Sequence, residues 1–88
     1  MIRRHVVVKG DVQGVFFRDS TRDRAQSRGV AGWASNRPDG AVEVVFEGEP
    51  DEVESMLRFV KEGPRRAEVR DVEVTEEEPE GLQGFEVR

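Results

Sequence analysis

Two glycines four residues apart, Gly10 and Gly14, stand between an apolar run, Val6-Val7-Val8, and a segment of helical spacing. Three consecutive β-branched residues read as a strand, His5 to Lys9, buried on both faces. Phe17, Thr21 and Ala25 share one face of a helix at four-residue spacing. The chain must therefore pass from strand to helix within Lys9-Gly10-Asp11-Val12-Gln13-Gly14-Val15-Phe16-Phe17-Arg18. Glycine lets the backbone curl where a Cβ would clash. Such a loop either only turns the chain or aims successive N–H groups at one point, which makes an anion nest. The helix behind it adds unpaired N–H groups and the positive end of its dipole. Arg18, in the first turn, carries a planar fork that suits a tetrahedral oxyanion such as phosphate. The spacing matches neither Gly-x-Gly-x-x-Gly nor the P-loop ending in Gly-Lys-Ser/Thr.

The remaining elements follow from pattern and punctuation. The first helix is predicted over Phe17 to Arg28, closed by Gly29 in a left-handed cap. Val30 to Asn36 reads as a strand, with Trp33 serving either as core or as a substrate wall. Arg37-Pro38-Asp39-Gly40 is a turn. Val42, Val44 and Phe46 alternate with Glu43, Val45 and Glu47, a strand with one face on the core. A second helix starts at Pro50, puts Val53, Met56, Leu57 and Val60 at i, i+3, i+4 and i+7, and is capped by Gly63. Glu68 to Val74 is a further strand, with Val72 and Val74 on one face. Glu76-Glu77-Glu78-Pro79-Glu80-Gly81 reads as a solvated acidic loop. Phe85 and Val87 make a short closing strand. The order is βαββαβ plus a short final strand. It predicts an α+β, ferredoxin-like split βαβ sandwich, with two helices on one face of a mostly antiparallel sheet.

Composition narrows the function. A chain of 88 residues is expected to form one domain over residues 1–88, burying about 60–65% of its unfolded surface. It has no cysteine and one histidine, so thiolate and histidine-cluster metal sites are excluded. His5 has no partner of its own kind for acid–base work and reads as structural. No apolar stretch approaches the roughly 20 residues of a membrane helix. The start, Met1-Ile2-Arg3-Arg4-His5, lacks a signal-peptide apolar region. The expectation is a cytoplasmic protein with no membrane partner, in keeping with the absence of cysteine. A net charge of −5 argues against a general nucleic-acid binder. It also means that attraction of an anionic ligand must be local.

Gly10-Asp11-Val12-Gln13-Gly14-Val15-Phe16-Phe17-Arg18 resembles the acylphosphatase signature G-x-V-Q-G-V-x-F-R. Gly29-Val30-Ala31-Gly32-Trp33-Ala34-Ser35-Asn36 is similar to the family's G-x-x-G-W-x-x-N, and Asp39-Gly40-Ala41-Val42-Glu43 to D-G-x-V-E. Gly63-Pro64-Arg65-Arg66-Ala67 and Gly84-Phe85-Glu86-Val87-Arg88 resemble two later blocks, so the likeness spans nearly the whole chain in order.

The resemblance implies the ferredoxin-like fold and hydrolysis of an acyl phosphate to a carboxylate and inorganic phosphate. It implies that Arg18 binds the phosphoryl group together with the loop backbone from Gln13 through Gly14, Val15, Phe16 and Phe17 to Arg18. It implies that Asn36 positions the attacking water. Asn36 ends a strand expected to lie parallel to the first with one strand between, so it can sit beside the loop. Its amide holds a water through both donor and acceptor. No metal or cofactor is expected, because a carboxylate is a good leaving group and phosphoryl transfer depends on positioning and charge. Inorganic phosphate is expected as product and inhibitor, and the chain as a monomer. The rival reading is a non-catalytic phosphate-binding module of the same family.

Two residues depart from the family pattern. Asp11 puts a negative charge in the anion loop, where a basic residue is frequent. Ala34 stands where a larger aliphatic residue is common, behind Asn36.

Overall fold

The computed structural model describes residues 1–88. Seven elements follow in order: β1 (Ile2–Asp11), α1 (Phe17–Ser27), β2 (Ala31–Asn36), β3 (Val42–Gly48), α2 (Pro50–Glu62), β4 (Glu68–Glu77) and β5 (Phe85–Val87). The strands form one sheet in the order β4-β1-β3-β2-β5. β3 runs antiparallel to both β1 and β2, and β4 antiparallel to β1. Only the β2–β5 pair is parallel. This is the predicted split βαβ sandwich with its added final strand.

The core lies between the helices and one face of the sheet. α2 buries Val53, Met56, Leu57 and Val60, the four positions its spacing marks. α1 offers only Phe17, Thr21 and Ala25. Thr21 settles its hydroxyl by donating to the Phe17 carbonyl at 2.8 Å. From the sheet, Val6, Val8, Ala34, Val42, Val44 and Phe46 complete the cluster. Phe85 closes it beside Phe46, with ring centroids 6.1 Å apart.

β1 is twice the length read from the sequence, beginning at Ile2 rather than His5 and running to Asp11 rather than Lys9, and four further details differ from the sequence reading. Gly10 lies within β1 at a register shift against β4, not in the curl of the loop. A Cβ on it would stand 2.1 Å from the Glu68 carbonyl oxygen, so the position needs glycine for close approach of two backbones. β4 continues past Val74 to Glu77, because Arg3 and Arg4 on β1 face Glu77 and Glu76 across the pair. As the sheet edge, β4 leaves Val74 40% exposed. Trp33 is neither core nor substrate wall. It sits half-buried on the sheet face away from the helices, with the Arg88 guanidinium 4.4 Å from its ring centroid.

The acidic segment is the last difference. Rather than standing free in solvent, residues 80–82 lie over that second sheet face. Glu47 of β3 is 1% exposed there. Its carboxylate accepts the N–H groups of Glu80 at 2.9 Å, Gly81 at 3.1 Å and Leu82 at 3.0 Å. The buried Arg3 guanidinium joins it at 2.6 Å. One carboxylate thus pins the segment that leads into β5.

Candidate active site

The chain between β1 and α1 makes a left-handed bend. Gly14 has φ 75°, and Phe16 has φ 60° and ψ 27° at the N-cap of α1. Such residues beside right-handed ones turn neighbouring N–H groups toward a common point. No acceptor within the protein engages any backbone N–H from Gln13 to Asp19; the first bonded amide of α1 is Ser20, to the Phe16 carbonyl at 2.9 Å. A run of unengaged donors at a helix start is an anion site in the making.

Val12, Gly14, Phe16, Phe17, Arg18, Asp19 and Asn36 line one concavity of about 240 Å³. The structure therefore brings Arg18 and Asn36 together across the loop. The reason is topological: β1 and β2 flank β3 and run in the same direction, so the end of β2 lies level with the loop after β1. Arg18 donates through Nη1 to the Arg88 carbonyl at 2.5 Å, which leaves the other N–H groups of its fork available. Asn36 is exposed, and its side-chain amide has no protein partner. A wider depression of about 750 Å³ lies between α1 and α2, lined by Arg24, Arg28, Glu52 and Phe59 among others. It shares no residue with the loop concavity and mixes charges of both signs.

Two predicted loop residues do not line the concavity through their side chains. Val15 packs against the core. Gln13 reaches away and donates through Nε2 to the carbonyls of Arg37 at 2.7 Å and Ala41 at 2.9 Å. It ties the loop to the turn that follows Asn36, a positioning role the sequence did not signal. Asp11 points outward to Arg70 at 3.1 Å, so its charge lies off the concavity. Ala34 is fully buried and pairs with Val44 and Val87. Arg88 was also missed. Its N–H bonds the Ala34 carbonyl at 2.8 Å while its own carbonyl receives Arg18.

The sequence matches the Acylphosphatase family model over residues 4–87. The chain belongs to the acylphosphatase family. An acylphosphatase from Haloarcula marismortui is 58% identical over 86 residues, covering 98% of this chain and 94% of that protein. One from Rubrobacter xylanophilus is 59% identical over 88 residues, covering 98% and 79%. The crystal structure of acylphosphatase from Bacillus subtilis superposes with a TM-score of 0.96 at 38% identity, covering 100% of this chain and 99% of that one. Full-length HypF, solved in a phosphate- and nucleotide-bound form, matches 99% of this chain at 27% identity and TM-score 0.91, over only 12% of its own length. The acylphosphatase fold thus also occurs as one part of a larger protein.

Proposed function

We propose that this acylphosphatase-family enzyme binds an acyl phosphate in the loop concavity and hydrolyses its carboxyl–phosphate bond. The backbone N–H groups of Gln13, Gly14, Val15, Phe16, Phe17 and Arg18 hold the phosphoryl oxygens. The Arg18 guanidinium adds a charged fork. Asn36 holds a water against phosphorus through its side-chain amide. The water oxygen forms a bond to phosphorus as the bond from phosphorus to the acyl oxygen breaks. The electron pair leaves on the carboxylate, and the water's proton passes to a phosphate oxygen. No separate general base is used, and fixed donors stabilise the charge that develops.

The observation that carries this reading is the run of unengaged N–H groups from Gln13 to Asp19 at the start of α1. The first N–H groups of any helix have no intrahelical acceptor, and here the loop amides that precede them are open too, so a ligand or solvent must complete the whole run. The free amide of Asn36 on the same concavity supports the second role. The reading takes the chain as a single-domain monomer working in the cytoplasm, in keeping with a cysteine-free composition. The likeness to one part of HypF keeps a phosphate-binding module as the second reading.

The purified chain should hydrolyse benzoyl phosphate, with inorganic phosphate as a competitive inhibitor. No group of three His, Cys, Asp or Glu side chains is arranged to hold a metal ion. Activity should therefore persist in full after exhaustive chelation. Binding of phosphate without turnover would favour the module. Loss of activity that one added divalent ion restores would contradict the mechanism.

A further inference from the structure

Phe16 combines two unfavourable features. It is the one residue other than glycine with a positive φ, at 60°. The left-handed region is costly for a side-chain-bearing residue, and glycine or asparagine would occupy it more readily. Its ring gains nothing from the core in return, since Phe16 is 67% exposed. The nest requires the backbone angle, but it does not require a benzyl side chain. A bulky residue at such a position is expected where its side chain has work to do.

The ring stands at the rim of the concavity that also holds Arg18 and Asn36. The cradle spends its polar groups on the phosphoryl end of a substrate. The acyl end must project outward past the rim, where Phe16 is the exposed apolar surface. We infer that Phe16 is a specificity-determining residue whose ring packs against the acyl group, selecting aromatic or apolar acyl phosphates over short ones. This rests on the phosphoryl cradle proposed above.

The test compares benzoyl phosphate with acetyl phosphate on the full chain. The quantity read is the ratio of their kcat/KM values, because damage to the nest alone scales both substrates alike. In wild type the ratio should favour benzoyl phosphate. Phe16→Asn suits the left-handed backbone and removes the ring. It should lower the ratio roughly 3- to 10-fold, the scale of one aromatic contact. Phe16→Trp, which keeps an aromatic ring, should leave the ratio near the wild-type value. A ratio unmoved by Phe16→Asn, whatever the absolute rates do, overturns the assignment. So does a wild-type ratio that favours acetyl phosphate. Phosphate that fails to compete in wild type removes the cradle and the inference with it, whereas competition with an unmoved ratio removes the inference alone.

Discussion

Asn36→Ala is expected to lower turnover of benzoyl phosphate by roughly 10²–10³ while phosphate affinity stays nearly unchanged, the scale for losing one positioned polar group. Arg18→Ala is expected to lower both, because it removes a charged, two-pronged contact to the phosphoryl oxygens. The two residues meet on one concavity but arrive from different elements, α1 and β2. Neither side chain is in the buried core, so both variants should fold. Arg18→Ala also frees the Arg88 carbonyl, which is surface-exposed and open to water. Steady-state kinetics together with phosphate inhibition constants on both variants check the division. Equal loss of phosphate affinity in the two variants, or wild-type turnover by Asn36→Ala, would show that the roles are assigned wrongly.

Glu47→Ala is expected to cost about 3 kcal/mol of stability, the scale for breaking a buried ion pair from one side. For a domain of this size that is a fall in Tm of roughly 10–20 °C. The change orphans Arg3 in part and frees three backbone N–H groups, so amides of Glu80, Gly81 and Leu82 should lose hydrogen-exchange protection first. Acid should act on the same point. Burial pushes the Glu47 carboxyl upward, but the N–H groups of Glu80, Leu82 and Gly81 and the Arg3 guanidinium outweigh it. The pKa is held below the ordinary 4.5. A depressed folded pKa contributes stability that is complete above the unfolded value and is lost as pH falls through the folded one. Thermal melts from pH 7 downward should show this contribution intact to about pH 5 and fading below about 4.5. The Glu47→Ala variant should lack that part of the acid slope. A variant as stable as wild type, with an unchanged slope, would mean the segment is held by something other than Glu47.

The elements were legible because their signals are local. The i, i+3, i+4, i+7 spacing of α2 needs only a few neighbouring residues and recurs in its burial pattern, whereas β3 is buried almost throughout, Val45 and Glu47 included, and its alternation survives only in which side chains, Val42, Val44 and Phe46, join the core. The loop was legible as a turn from Gly14, while Gly10, read as its other hinge, belongs to β1; it was legible as an anion site only through the family motif. What stayed hidden depends on groups far apart in sequence. Glu47 alternates on its strand like any solvent-facing residue, and only the passage of residues 80–82 over it makes it a buried anchor. For the same reason those residues read as free. Gln13 looks like one more loop residue until the fold sets the carbonyls of Arg37 and Ala41 beside its amide. Trp33 was read by size alone. The side of the sheet it occupies is fixed by its pairing with Val45, which a single strand does not announce. The asymmetry of Phe16 needs the backbone angle and the exposure together, and neither is written in the letter.

The central claim is that the loop from Gln13 to Arg18 is the phosphoryl cradle. Titration of the ¹⁵N-labelled chain with inorganic phosphate, followed by amide chemical shifts, tests it most directly. The largest shifts should fall on the amides of Gln13, Gly14, Val15, Phe16, Phe17 and Arg18, with smaller ones at the Asn36 side chain, and saturate together at one affinity. Shifts gathered instead between α1 and α2, around Arg24 and Arg28, with the loop amides unmoved, would contradict it.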